Sequence, residues 1–142
     1  MVPWVKAGAV LGAIVIGGIQ LVPYGHDHSN PAVRAEAPWP DDASRAIAER
    51  SCYDCHSNET DWPWYANVAP MSWLVQHDVD EGRSEVNFSE WPPEDADDLH
   101  DPVEHGEMPP SKYTRLHGDA KLSAAERDRL EEALRQMERD GD

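Results

Sequence analysis

The sequence predicts an all-α domain behind an N-terminal transmembrane helix, and three observations predict it. Helix-start chemistry opens helical runs at residues 41–50, 70–83 and 123–139, and no βαβ pattern interrupts them. An apolar run from Ala7 to Ile19 stands ahead of all three. Two cysteines sit one helical turn apart, with a histidine directly after the second. At 142 residues the chain has room for one small domain beyond the apolar segment.

Charge and composition narrow the partners. The 28 acidic residues outnumber 12 basic ones, giving a formal net charge of −16 and a pI near 4.6. That field excludes nucleic acid, because a phosphate binder needs the opposite sign. It suits docking to a partner protein that is basic at its contact face; adaptation of a whole proteome to salt accounts for it equally well. Only 39% of the residues are hydrophobic, with a single Phe against six Trp. So few aliphatic side chains make a thin core, and a bound apolar group would supply the missing mass.

Residues 1–23 are expected to form a membrane anchor or signal-anchor. Lys6 precedes the apolar run and Asp27 and Glu36 follow it. This asymmetry places the amino end inside and the rest outside the cytoplasmic membrane, on the periplasmic side. The run is near the lower limit of a span, about 17 residues. A signal peptide is the alternative, but the small-x-small trio Ala35-Glu36-Ala37 lies far from the apolar run, so an uncleaved anchor is expected. Residues 24–40 carry Pro31, Pro38 and Pro40 and read as an extended linker lying on the domain. His26 and His28 in it are expected to be exposed or to make local contacts. Residues 41–142 form the domain proper.

That domain is organised around Cys52-Tyr53-Asp54-Cys55-His56, which reads C-x-x-C-H, the attachment signature of c-type haem. Two thiols a helical turn apart suit addition to two haem vinyl groups, and the adjacent histidine is then held where its imidazole meets the iron. Three other uses of the pair are weaker. A thioredoxin-like redox pair needs a βαβ setting, and a zinc site needs a second pair of ligands that a chain with 2 Cys cannot supply as thiols. A disulfide across two intervening residues is strained.

The elements around the motif follow from local chemistry. Asp41-Asp42-Ala43-Ser44 starts a short helix that delivers Cys52. Trp62-Pro63-Trp64-Tyr65 reads as a rigid aromatic wall for a cofactor pocket. Pro70 at a first turn opens a helix on which Trp73, Leu74 and His77 share a face and which Gly82 ends. Residues 94–105 read as an acidic helical stretch, kinked or split by Pro102 and stopped by Gly106. Ser123-Ala124-Ala125-Glu126 is a capping box. It opens a last helix to about Arg139, whose stripe Leu130, Ala133, Leu134 and Met137 is expected to pack on the helix before Cys52. Met108 stands between Gly106 and Pro109-Pro110, held on a stiff loop. A thioether is the usual sixth ligand of electron-transfer c-type haem, so Met108 is read as the distal iron ligand; His105, His117 or an open position are the alternatives. Met71, at a helix start near the aromatic cluster, is expected to pack in the core.

These residues together resemble the bacterial haem-binding domain family of small, membrane-anchored, single-haem proteins, itself similar to class I cytochromes c. The resemblance runs through Pro23-Tyr24-Gly25, Asp27-His28, Asn30-Pro31, Cys52 to Thr60, Trp62 to Tyr65, Ala69-Pro70, Ser72-Trp73-Leu74, Asp78-Val79, Glu81-Gly82-Arg83, Asn87-Phe88-Ser89 and Gly106 to Pro110. It implies a cytochrome c-like helical domain with one covalent haem c on Cys52 and Cys55, His56 as the proximal ligand and Met108 as the distal one. The resemblance leaves the physiological task open.

The expected function is that of a membrane-anchored one-electron carrier. A sensor or small-ligand binder with an open or displaceable sixth position is the alternative. A peroxidase-like enzyme, for which His105 beside Met108 is the only hint, comes third, so no catalytic residue is assigned. Arg83, Tyr113 and the Trp side chains are candidates to hold the haem propionates.

Overall fold

The computed structural model describes residues 3–94 and 97–141. Seven α-helices appear among them: α1 (Pro3–Ile19), α2 (Asp42–Ser51), α3 (Tyr53–His56), α4 (Met71–Glu85), α5 (Asp101–Glu104), α6 (Ser111–Thr114) and α7 (Ala124–Gly141). Single 3-10 turns lie at Trp64–Asn67 and Gly118–Ala120, and the one β feature among the described residues is an isolated bridge between Ala35 and Glu90. The all-α expectation holds.

The N-terminal expectation does not. α1 covers 17 residues, about 26 Å of helix against a hydrocarbon core of about 30 Å. No helix among the described residues is long and apolar enough to cross a membrane. The single-pass anchor, and the periplasmic location inferred from it, are therefore corrected. The apolar run stops short for a physical reason. Gln20 leaves the helix and its side-chain amide pairs with the backbone of Ala69, donating to the carbonyl at 3.0 Å and accepting from the N–H at 2.9 Å. A polar side chain bound to the domain at this point fixes where α1 ends.

α2 and α7 form the main helix pair. Asp41 caps α2, its carboxylate accepting from the amides of Ala43 and Ser44 at 2.9 Å each. α7 presents Leu130, Ala133, Leu134 and Met137, all buried, to a core that also takes Ile47 and Ala48 of α2, Tyr53 of α3, Val103 of α5 and Phe88. The expected stripe and its packing partner are both as the 3.6-residue period requires. Ser123 and Glu126 close the capping box: the Ser123 amide donates to the Glu126 carboxylate at 2.8 Å.

Residues 24–40 contain no helix and lie along the domain, as the prolines suggest. They are stitched on by backbone bonds, Arg34 N–H to the Ser89 carbonyl at 2.9 Å, Ala37 N–H to Phe88 at 2.8 Å and Trp91 N–H to Ala35 at 2.9 Å. Asn58, two residues after the Cys52–His56 motif, is the buried hub of this seam. Its side-chain N–H groups reach the Ala32 carbonyl and Glu90, and its oxygen accepts from Asn87. His28 stacks on Trp62 with ring centroids 4.7 Å apart, a local contact of the expected kind.

Two element boundaries differ from expectation. α4 runs through Gly82 to Glu85, and its buried residues are Ser72, Val79 and Gly82, while Leu74 and His77 face outward. Gly82 is small because the backbone of Cys55 in α3 presses against it, while the backbone at Ser72 lies against Gly25. In the acidic stretch only Asp101–Glu104 is helical, with Pro102 accommodated in its first turn, where its missing N–H costs nothing. Residues 95–96 of the expected helix lie outside the described residues. Gly106, at φ 73°, ends the turn as expected.

Two outcomes follow from this packing. Leu130 is fully buried, so Leu130→Ala should cost about 2–5 kcal/mol, read from the midpoint of urea unfolding. The hydroxyl of Ser123, then its amide, then Arg50 hold the Glu126 carboxyl down to about 2 from its ordinary 4.5. A carboxyl depressed by folding adds stability in full above about pH 4.5 and loses it as the pH falls toward 2. Glu126→Gln should flatten that part of the stability profile and leave its dependence near neutral pH unchanged.

Candidate cofactor site

Cys52 lies at the junction of α2 and α3. Its amide closes α2 on the Ala48 carbonyl at 2.7 Å, and its own carbonyl accepts from the amide of His56 at 2.9 Å. The single turn α3 therefore sets Cys55 and His56 relative to Cys52. It is fixed from outside by α4: a Cβ at Gly82 would stand 2.5 Å from the Cys55 carbonyl oxygen and 3.0 Å from its Cβ. Only a residue without a side chain admits that approach.

The three motif side chains open onto one cavity of about 590 Å³. This lies within the range of about 300–1,000 Å³ typical of ligand and cofactor pockets. Its apolar lining comes from Val86, Phe88, Leu99, Val103, Leu134 and the ring of Pro102. Met108, Pro109 and Pro110 line the same cavity, from a loop hung on α5: the amides of Glu107 and Met108 donate to the Pro102 carbonyl at 2.8 and 2.9 Å. The structure thus brings Cys52, Cys55, His56 and Met108 to one space.

The chemistry of each donor is set by its surroundings. His56 Nδ1 lies 3.1 Å from the Val86 carbonyl oxygen, which only accepts, so Nδ1 carries the proton and Nε2 keeps its lone pair. Burial lowers the pKa of His56, partly opposed by its hydrogen bonds to the Val86 and Gly82 carbonyls, which favours the neutral, ligating form. Burial pushes both thiols up to about 12. Neither is joined in a disulfide, and protonated, apolar-walled thiols are poor exchange or redox groups.

Other expectations meet a different geometry. Trp62, Trp64 and Tyr65 do not line the cavity; Trp64 is 80% exposed, and the aromatic cluster packs instead beside the residues 24–40 arm and His117. A run of rings along the sequence says neither which space the rings face nor how far each is covered. His105 is exposed and bonded to the Asp101 carbonyl, and His117 bonds the Tyr65 hydroxyl at 2.8 Å; neither lines the cavity, nor does Met71. Arg83 is consumed by four acceptors, on Ser57, Ser29, Asn30 and Thr60, and points away. Tyr113 does line the cavity and donates to Asp54 at 2.7 Å. Sequence reasoning missed Lys112, the one Lys or Arg among the lining residues, which holds Asp78 at 2.7 Å. Its place three residues after Met108-Pro109 was the available signal.

The model of the haem-binding domain family matches residues 14–136. The chain belongs to the haem-binding domain family. No curated protein and no solved structure matches it. The residues present fit a haem: the cavity has an apolar wall, an imidazole with its outer nitrogen free and two cysteine thiols beside it.

The Gly82 contact gives a sharp expectation. Gly→Ala inside a helix normally gains about 1 kcal/mol of propensity. Gly82→Ala should reverse that sign and lower the urea midpoint, because the new methyl meets the Cys55 backbone.

Proposed function

We propose that this haem-binding domain holds one haem c covalently and serves as a one-electron carrier. The observation that carries the reading is the convergence of Cys52, Cys55, His56 and Met108 on a single apolar cavity. Cys52 and Cys55 would each add a thiol S–H across a vinyl group, sulfur to one carbon and hydrogen to the other, with no net oxidation. His56 would hold the iron through Nε2 while the Val86 carbonyl fixes its ring. Met108, on a proline-stiffened loop lining the same cavity, would offer its thioether as a second ligand. When bound, the haem supplies the ferric/ferrous couple. Were His56 and Met108 both to hold the iron, no position would be left for a substrate, which favours electron transfer over sensing or peroxidase chemistry.

The protein's other contributions are exclusion of water and steering. Val86, Phe88, Leu99, Val103 and Leu134 cover the apolar faces of the cavity. Asp78, Glu81, Glu85 and Glu107 stand around it in a chain of net charge −16, a field that attracts a partner basic at its docking face. Contacts of this type are small and weak, below about 1,200 Å².

Absorption spectra of the protein made with haem-attachment machinery test the reading. A low-spin spectrum, haem retained on the chain after denaturation, and indifference to carbon monoxide are the expected results. Cys52→Ser with Cys55→Ser should release the haem on denaturation, and Met108→Ala should make the iron high-spin and open to carbon monoxide. A wild-type iron that binds carbon monoxide readily would favour a sensor instead, and haem lost on denaturation would rule out the covalent form.

A further inference from the structure

The geometry points to a second metal site, on the outer side of the wall that carries Met108: His100, Asp101 and Glu104 form a site for a divalent transition ion of the zinc class. His100 is half-buried and its ring is oriented from behind. Its Nδ1 lies 2.9 and 3.1 Å from the two oxygens of Glu138 on α7, and its backbone amide donates to the same carboxylate at 3.0 Å. A carboxylate only accepts, so Nδ1 carries a proton and Nε2 is the nitrogen left to meet an ion, which would displace any proton it holds. This is the arrangement in which a ligating histidine is held by an outer carboxylate.

Nε2 faces two more carboxylates, Asp101 Oδ1 at 3.3 Å and Glu104 Oε2 at 3.8 Å. Both distances exceed the 2.7–2.9 Å or so of a charge-assisted N–H···O bond. They bracket the separation of about 3.4 Å between two donors held at about 2.1 Å around a tetrahedral ion. The three ligand atoms lie within 4.8 Å of one another, and the two carboxylates are exposed enough to close on an ion. Glu104 also accepts from Arg135 at 2.6 Å, but Arg135 reaches Glu131 as well and keeps a partner if Glu104 turns. One imidazole with two carboxylates favours zinc-class ions over calcium or magnesium, which take all-oxygen shells. An ion here would pin α5, from whose Pro102 carbonyl the Met108 loop hangs. The metal assignment itself stands independently of the haem reading.

Calorimetric titration of the full chain with Zn²⁺ tests it, alongside NMR of the ¹⁵N-labelled histidine rings. One ion should bind, moving the His100 Nε2 signal, with no competition from Mg²⁺ or Ca²⁺. Asp101→Asn and Glu104→Gln keep the side-chain shapes and should each weaken binding at least about tenfold, and Glu138→Gln about 10–100-fold. The Zn²⁺-induced rise in Tm should shrink in step. A His100 signal that does not move would overturn the site. So would an affinity unchanged in all three variants, which would place the ion elsewhere, at Cys52, Cys55 and His56.

Discussion

The close seat of α3 on α4 is the constraint on which the rest of the structure depends. One helical turn carries both cysteines' spacing and the histidine, and a single turn has almost no stability of its own. It holds its shape because Cys52 is shared with the end of α2 and because Gly82 lets the α4 backbone touch that of Cys55. Arg83, the next residue, locks the arrangement from the other side by bonding the Ser57 carbonyl at 2.7 Å. The glycine at position 82 follows from this approach: a side chain there would push the turn away from the helix that positions it.

From that seat the cavity is built outward by two kinds of support. α7 supplies a conventional apolar stripe, and through Leu134 the same stripe becomes part of the cavity lining. The wall made by α5 and the loop to Met108 adds Leu99, Pro102, Val103 and Met108 to the lining, and Val103 also joins the core. Hydrogen bonds and ion pairs to α7 hold it: Arg127 donates to the Val103 carbonyl, Arg135 pairs with Glu104 and Glu138 grips His100. Glu104 of this acidic stretch thus has a partner on α7.

The residues 24–40 arm shows how a polar, proline-rich segment becomes part of a fold without forming an element. Its backbone groups find partners on residues 87–91, and Asn58 gathers three segments with one side chain. Such groups must be paired when they are covered. The cluster of rings around Trp62 packs against this arm, which explains why it lies away from the cavity.

What the sequence determined by itself was the local chemistry: the α2 and α7 caps, the Leu130–Met137 stripe, the stop at Gly106 and the C-x-x-C-H turn. Each depends on residues within a few positions of one another, so spacing and capping suffice to read it. The tertiary structure decided the rest. That Met108 shares a cavity with His56 while His105 and His117 do not depends on where α5 docks on α7, more than 20 residues away. That Gly82 is a contact surface instead of a helix stop depends on α3 arriving against it, and that α1 ends at Ile19 depends on Gln20 meeting Ala69. Local sequence carries propensity; which surfaces meet is set by burial and hydrogen-bond pairing across the whole chain, and no spacing along the sequence records that.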